Sequence, residues 1–248
     1  MTDCSRRIAF MGRVGPETDA YAGVLASAGV LNLFIAETGV AARRRKWSRM
    51  VRETGRVQAT VNALALLLFG RLSERRLRQA LHQDIDRAPH PNLSVADAND
   101  PVVIDRPRES QIDVLIIHGT ALLGEPVLNT CHRVVNIHGG MVPAYRNVYG
   151  DFWALASNRP QDVGFSLLIV TPGIDSGPVL VSRSVKLRSR ARLSTARALI
   201  CRGASKELEE MIEDGRFNGP LEGTQQRGPS GFTRTPSAWD LLRSRVRP

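Results

Sequence analysis

The chain has 248 residues, 42% of them hydrophobic, and a formal net charge of +10. This length suits one substantial domain with its own core, and this composition argues against a disordered or membrane-spanning chain, since no apolar run is long enough to cross a bilayer. The positive charge favours anionic partners, from phosphorylated metabolites to nucleic acid, although an arginine-rich composition alone also produces it.

The cysteines give no sign of a disulfide framework. Cys4, Cys131 and Cys201 are odd in number and widely spaced, and no metal-ligand spacing surrounds them. The amino terminus also lacks a signal-peptide pattern. We therefore expect a reduced, cytoplasmic protein without a bound metal.

Strand and helix signals alternate at the start of the chain. Residues 7–12 form an apolar run that ends in a glycine turn, but this turn lacks the third glycine of a dinucleotide fingerprint. Pro16 suits the first turn of a helix, Gly29 ends it, and residues 30–36 form a second apolar run. This strand, helix, strand order predicts an α/β domain that begins with a parallel sheet.

Residues 43–78 are rich in arginine. Their periodicity predicts two helices with a basic outer face. We interpret this face mainly as solvated helix surface, because charge runs usually are and Trp47 is the one aromatic residue among the first cations. The alternative is a patch that binds phosphate or RNA.

Residues 89–107 read as a loop-rich connector, interrupted by a short apolar piece at 102–104. His82, His90 and His132 have no ligand partners near them in sequence, and we expect all three on the surface.

A third strand is predicted over residues 112–117. His118 ends this strand and is a weaker candidate for a second catalytic group. Gly119 follows and permits a close backbone approach.

A fourth strand, residues 134–138, delivers the strongest functional signal. Asn136 and His138 are two residues apart, so both side chains point to one face at the end of an apolar run. Ligands bind beyond the carboxyl ends of strands in open parallel sheets. Asp175 lies in a Gly/Pro-bounded loop between predicted strands 164–170 and 178–185, which can fold it back toward His138. An amide, an imidazole and a carboxylate suit acyl transfer.

The last predicted helix has Ser194 as its N-cap and ends at Asp214 and Gly215. The composition then shifts to Gly, Pro, Gln and Arg. We predict a catalytic domain over residues 1–215 and a carboxy-terminal extension, residues 216–248, packed on it.

Four motifs follow one another within residues 136–177: Asn-Ile-His-Gly-Gly, Pro-Ala-Tyr-Arg, Phe-Trp-Ala-Leu and Gly-Ile-Asp-Ser-Gly. In this order they resemble the catalytic core of the formyltransferase family that uses 10-formyltetrahydrofolate. The resemblance covers residues 113–180 most specifically. It is nearest to the branch that formylates amino sugars on nucleotide carriers and other small amines, which is related to methionyl-tRNA and glycinamide ribonucleotide formyltransferases.

The resemblance implies a Rossmann-like α/β fold with a mainly parallel central sheet flanked by helices. It also implies a transferase of one-carbon groups with 10-formyltetrahydrofolate as formyl donor. In such a site Asn136 and His138 stabilise the formyl oxygen, and Asp175 orients the imidazole and helps remove the proton of the amine. The implied donor pocket consists of Gly119, Thr120, Leu122, Val170 and Gly173. The implied acceptor contacts are Tyr145, Arg146 and Asn147.

Departures from the family pattern limit the substrate prediction. Asn147 stands where the family usually has glycine, so the acceptor is expected to be unusual. From the sequence we also expect neither the large carboxy-terminal domain that methionyl-tRNA formyltransferases append nor the amino-terminal domain of formyltetrahydrofolate hydrolases. We therefore expect a small-molecule amine, phosphorylated or not, as partner, with nucleic acid and membrane disfavoured and a homodimer left open. Two alternatives stay open: a formyltetrahydrofolate hydrolase, and a non-catalytic nucleic-acid-binding protein on the same fold.

Overall fold

A seven-stranded sheet lies at the centre of the structure, a computed structural model that describes residues 6–188 and 191–248. The strands in chain order are Ile8–Arg13 (β1), Leu31–Glu37 (β2), Leu93–Val95 (β3), Val114–His118 (β4), Arg133–His138 (β5), Arg146–Asn147 (β6), Gly164–Ile169 (β7), Val179–Ser184 (β8) and Phe232–Thr233 (β9). The sheet order is β3-β2-β1-β4-β5-β7-β8, and β6 pairs separately with β9. The first five strands of the sheet are parallel, whereas β7 and β8 are antiparallel to their neighbours. The predicted α/β fold with a mainly parallel, Rossmann-like sheet is confirmed.

Eight helices surround the sheet in the described ranges. They are Pro16–Ser27 (α1), Val40–Ala80 (α2), His82–Ile85 (α3), Pro101–Glu109 (α4), Glu125–Leu128 (α5), Gly150–Ala156 (α6), Leu193–Glu213 (α7) and Ala238–Arg243 (α8). None of the helices described here combines the length and the apolar composition needed to cross a bilayer.

The apolar core lies in two layers, one on each face of the sheet. Along β1, Ile8 and Phe10 face the layer that holds α1 and α7, whereas Ala9 and Met11 face the layer with α4 and α5. Successive strand side chains point to opposite faces, so a strand covered on both sides must be a continuous apolar run. This requirement explains why β1 and β4 contain no charged side chain before their last residue.

The long helix α2 breaks at Gly55, where φ is 77° and ψ is 163°. Residues 40–54 and 56–80 are therefore two helical segments, as the sequence predicts. A positive φ is readily adopted by glycine because it has no Cβ. The kink lets the first segment turn toward the carboxyl ends of the strands while the second packs against α7 and α8.

Two predicted boundaries are wrong. Residues 89–107 are not a loop-rich connector, because they contain β3 and most of α4. The Asp100 side chain accepts a hydrogen bond from the N–H of Val102, and Pro101 occupies the first helical turn, which together start α4. Ser194 is also not an N-cap: Arg192, two residues earlier, is the capping residue, α7 begins at Leu193, and Ser194 is buried.

The segment after Gly215 contacts the rest of the chain at several places along its length. β9 pairs in parallel with β6, the N–H of Ala238 donates to Oδ1 of Asn62 (3.0 Å), and the Arg247 carbonyl accepts from Leu193 (2.9 Å). The division into domains at residue 215 remains a prediction. Cys131 and Cys201 are free thiols, whereas Cys4 lies outside the described residues.

Candidate functional site

The carboxyl end of β5 carries polar side chains among apolar ones. Val135 and Ile137 are fully buried on one face and anchor the strand. Asn136 and His138 point to the other face, and His138 is only 7% exposed. A buried imidazole and a half-buried amide need hydrogen-bond partners, because an unpaired polar group inside a protein costs about 1–3 kcal/mol.

Asp175 supplies these partners from the loop between β7 and β8. Its Oδ1 accepts a hydrogen bond from Nδ2 of Asn136 (2.9 Å), and its Oδ2 lies 3.5 Å from Nδ1 of His138. The backbone N–H of Asn147 donates to the same Oδ2 (2.8 Å). The structure thus brings together the amide, the imidazole and the carboxylate that the sequence suggests, with the carboxylate in the middle.

The ring of His138 is fixed by its second nitrogen. Nε2 lies 2.7 Å from the carbonyl oxygen of Tyr145, and since a carbonyl only accepts, Nε2–H is the donor. Nδ1 is therefore the nitrogen that faces Asp175. Gly140 makes this contact possible: a Cβ there would lie 2.6 Å from the Tyr145 oxygen and 2.8 Å from Nε2. The sequence motif does not predict this contact between His138 and the Tyr145 carbonyl.

A cleft of about 1350 Å³ opens beside these three residues. Five predicted donor residues line it from two loops: Gly119, Thr120, Leu122, Val170 and Gly173. The first loop is held from behind by the buried Glu37, whose Oε2 accepts from the N–H of Ala121 (3.0 Å) and lies 3.5 Å from the guanidinium of Arg13. In the described ranges, Glu37 Oε1 and Arg13 Nε are buried without a hydrogen-bond partner.

Cations and an aromatic ring line another part of the same cleft. Lys46 and Arg197 both approach the ring of Tyr149, at 5.9 and 5.6 Å from its centroid. Burial opposes the charge of Arg197, but Asp151, whose Oδ2 lies 2.7 Å from Nε, overcomes this effect and raises the guanidinium pKa. Desolvation, together with the nearby charge of Arg13, lowers the pKa of Lys46.

His118 also lines the cleft, at the end of β4. Its Nδ1 lies 2.9 Å from the Ile137 carbonyl, so Nδ1 carries the proton and Nε2 keeps its lone pair. The ring packs edge-on against Tyr21 at 5.0 Å. Burial lowers the pKa of His118, although Glu17 and the bond to the Ile137 carbonyl oppose that shift. His118 is therefore a neutral imidazole near neutral pH.

The three predicted acceptor contacts have different surroundings. Tyr145 donates its hydroxyl to Asp162 (3.0 Å), Arg146 donates to Oε1 of Gln226 (2.7 Å), and neither lines the cleft. Asn147 does line it. Its φ of 75° lies in the left-handed region that glycine favours and asparagine tolerates, and its Nδ2 donates to the Thr233 carbonyl (2.8 Å). A backbone requirement thus explains why glycine or asparagine suits this position.

Gln226 is a site residue that the sequence analysis missed. Its Nε2 donates to the carbonyl oxygens of Asp175 and Gly177, both at 2.8 Å, while its Oε1 accepts from Arg146. It thereby fastens the Asp175 loop to the strand that supplies Asn147. No local pattern marks this residue, because it lies in an irregular segment rich in Gly, Gln and Pro.

No cluster of three or more metal-ligating side chains occurs in residues 6–188 and 191–248. The fold and the site define an α/β protein whose cleft lies at the carboxyl ends of parallel strands and contains an Asn–His–Asp arrangement. Sequence comparison relates the chain to formyltransferases: it is 26% identical over 147 residues to the methionyl-tRNA formyltransferase of Rhodopirellula baltica. That match covers 57% of this chain and 42% of the relative, so the chain spans less than half of the relative's length.

Solved structures show the same fold over nearly the whole chain. A sugar N-formyltransferase from Shewanella sp. superposes with a TM-score of 0.58 at 11% identity, over 92% of this chain and 76% of that one. Glycinamide ribonucleotide transformylase 1 from Symbiobacterium toebii superposes with a TM-score of 0.60 at 16% identity, over 91% and 95% of the two chains. No family model matches the sequence. The resemblance to the formyltransferase family, predicted from the motifs, is nevertheless confirmed by these relatives and by the fold.

Proposed function

We propose that the protein is an N-formyltransferase that moves a formyl group from 10-formyltetrahydrofolate to the amine of a small metabolite. The observation that carries the proposal is the position of Asp175, which accepts from Asn136 and faces His138 at the edge of a large cleft. The loop between β7 and β8 must fold back over the end of β5 to place Asp175 there. A loop that only reversed the chain direction would not need a carboxylate in this position.

The cleft has features that suit the donor. A flat pterin ring would enter between two loops with exposed apolar side chains, Leu122 and Ile174, and bind to backbone groups there. Arg13 and Glu37 offer a buried donor and a buried acceptor behind the first loop. The donor supplies an amide-like formyl group, which an unprotonated amine attacks.

Each residue of the site has a separate part in this chemistry. Asn136 uses one amide N–H on Asp175 and keeps the other for the formyl oxygen, which becomes negative as the amine attacks. Losing one such donor costs about 2.7–4 kcal/mol in other enzymes. Asp175, which faces Nδ1 of His138, takes up the proton of the amine as the new C–N bond forms. This proton then passes to the folate nitrogen as its bond to the formyl carbon breaks, and tetrahydrofolate leaves.

The acceptor is proposed to enter past Lys46, Tyr149 and Arg197. Two cations beside an aromatic ring suit an acceptor that carries phosphate and a flat or sugar ring. We therefore propose an amino sugar or a nucleotide-linked amino sugar as acceptor, and the Shewanella neighbour is named a sugar N-formyltransferase. The cytoplasmic location remains a prediction.

The test is formyl transfer from 10-formyltetrahydrofolate to a panel of amino-sugar nucleotides, phosphorylated amines and unphosphorylated amines, with products identified by mass. Gain of one formyl group by an amine supports the proposal. Formate release that does not depend on an amine would identify a hydrolase instead.

Leu122→Arg tests the donor pocket separately. Leu122 is 69% exposed, so the fold tolerates arginine, while its bulk and charge obstruct an apolar slot. We expect folate affinity to fall about tenfold or more, equivalent to about 1.4 kcal/mol, in a binding titration. Val40→Arg adds the same charge at an exposed position on α2 and is the matched control. Equal folate affinity in both variants would place the donor elsewhere.

A further inference from the structure

The outer face of α2 carries a row of large apolar side chains in contact with solvent. Six residues between 47% and 81% exposed form this row, which we call the α2 stripe: Val57, Val61, Leu64, Leu67, Leu68 and Leu72. The opposite side of the same helix is buried on the core through Ala59, Ser73 and Leu77. Nothing in residues 6–188 and 191–248 covers the stripe, and contiguous apolar rows of this kind mark interaction surfaces.

We propose that the α2 stripe binds a second copy of this chain, with the two helices antiparallel across a two-fold axis. Five of its positions, 57, 61, 64, 68 and 72, follow one another at steps of three or four residues and share one side of the helix. When the α2 helix of the second copy runs antiparallel, position 57 of one copy lies opposite position 72 of the other, and position 61 lies opposite position 68. The axis then passes between Leu64 and Ala65, where a large side chain meets a small one. A two-fold contact requires this self-complementarity.

The charges beside the stripe agree with the same pairing. Arg56 and Glu74 lie on the same flank of the helix, and reversal brings Arg56 of one copy within one residue of the level of Glu74 of the other. Glu74 already accepts from Arg78 (3.1 Å) but stays 53% exposed, so it can take a second donor. The two-fold axis produces this ion pair twice. A lipid surface would also accept the apolar row and the arginines, but it would give Glu74 no second donor.

A stable dimer buries more surface than a pair of α2 helices supplies, so we include α8 in the proposed contact. The stripe is about 22 Å long at 1.5 Å per residue, and one such helix pair falls short of the roughly 800 Å² that each partner buries in a stable dimer. The helix α8 packs beside α2 through the bond from Ala238 to Asn62. Its Trp239 and Leu242 are 58% and 76% exposed, and we include them in the proposed contact.

The mass of the purified chain in solution tests the proposal, measured by light scattering after size exclusion over a range of micromolar concentrations. We expect the wild type to have twice the mass of one chain and Leu64→Glu/Leu68→Glu to have the mass of one chain. Both positions are about half exposed, so the variant keeps its fold, which circular dichroism and thermal melting verify. Val40→Glu, another exposed apolar position on α2, should stay dimeric. A monomeric wild type, or a dimeric double variant, would overturn the proposal.

Charge exchange tests the antiparallel register itself. Arg56→Glu places like charges together at two points, and we expect the dimer Kd to rise about tenfold. Adding Glu74→Arg reverses each pair and should restore the Kd to near the wild-type value. Failure of the second change to restore dimerisation would reject this register. Flotation of a monomeric wild type with anionic vesicles would show that the stripe binds lipid instead.

Discussion

At the scale of single residues, Asp175 controls the geometry of the site. Both of its oxygens accept from backbone or amide donors, and one of them also faces His138. Its φ of 47° lies in the left-handed region, which Asp adopts more readily than most side chains. Charge and conformation are thus both required at this one position.

Asp175→Asn separates these two requirements. Asparagine tolerates the same backbone conformation, but its amide nitrogen cannot accept, so one of the two bonds from Asn136 and Asn147 is lost and the melting temperature should fall by the equivalent of about 1–3 kcal/mol. It lacks the negative charge that faces His138 and cannot take up a proton from the amine. We expect turnover to fall about a hundredfold or more. Asp162→Asn, the same exchange in the carboxylate that binds the Tyr145 hydroxyl, is the control and should keep most of the activity.

His118 predicts a pH dependence of stability. Its pKa is lower in the folded chain than in the unfolded one, so below about pH 6.5 the unfolded state binds more protons and the folded state loses stability. His118→Gln removes this loss. We expect the difference in melting temperature between variant and wild type to shift in favour of the variant as the pH falls from 7 toward 5. A constant difference for His118→Gln across this pH range would contradict its burial as a neutral ring.

At the scale of elements, α2 combines two surfaces of different chemistry. Its first segment has mainly exposed cations, as the sequence suggests, but Arg45, Lys46 and Arg49 line the cleft. Arg45 is paired with Asp97, whereas Lys46 is influenced by a second cation, Arg13, which helps to lower its pKa. The kink at Gly55 separates this basic part from the apolar stripe.

Charge reversal in the first segment tests its part in acceptor binding. Arg45→Glu/Arg49→Glu changes two cleft residues, and Arg43→Glu/Arg44→Glu makes the same change of net charge at two residues outside the cleft. If the acceptor is anionic, the first pair should raise its KM about tenfold or more with little effect on kcat, and the second pair should do less. Equal effects of the two double variants on KM would mean that the segment attracts the acceptor by its net charge and not by contacts in the cleft. Loss of tight RNA binding in either pair would support the nucleic-acid alternative.

At the scale of the whole molecule, the segment after Gly215 completes the site. Gln226 joins the Asp175 loop to Arg146, and β9 holds β6, the strand that contains Asn147. The Asp175 loop therefore keeps its position only while the segment that contains Gln226 is folded against it.

Gln226→Ala should therefore affect catalysis more than stability. The variant loses the two donated hydrogen bonds and the two accepted from Arg146, worth about 0.5–1.5 kcal/mol each, and frees the Asp175 loop. We expect turnover to fall about tenfold with a small decrease in melting temperature. Gln225→Ala, at the exposed neighbouring position, should behave as wild type. Wild-type turnover of Gln226→Ala would mean that the loop keeps its position without this bond.

Sequence alone predicted the elements with strong local patterns and missed those set by distant contacts. The β5 run, with Asn136 and His138 at its end, was readable because a polar pair interrupts an apolar strand. The helix α4 was missed because two prolines obscure a short periodicity, although Asp100 caps it. Gln226 and the Tyr145 carbonyl have no local signature, since their roles come from partners that folding brings near.

The environment of Lys46 has a practical consequence for finding the acceptor. The chain contains three lysines, Lys46, Lys186 and Lys206, so an amine-directed reagent has few targets. The lowered pKa of Lys46 gives it a larger share of the reactive, uncharged amine at neutral pH. Acylation of Lys46 would therefore label the cleft. A metabolite that protects Lys46 from the reagent would be identified as a ligand of the cleft before any reaction with it is known.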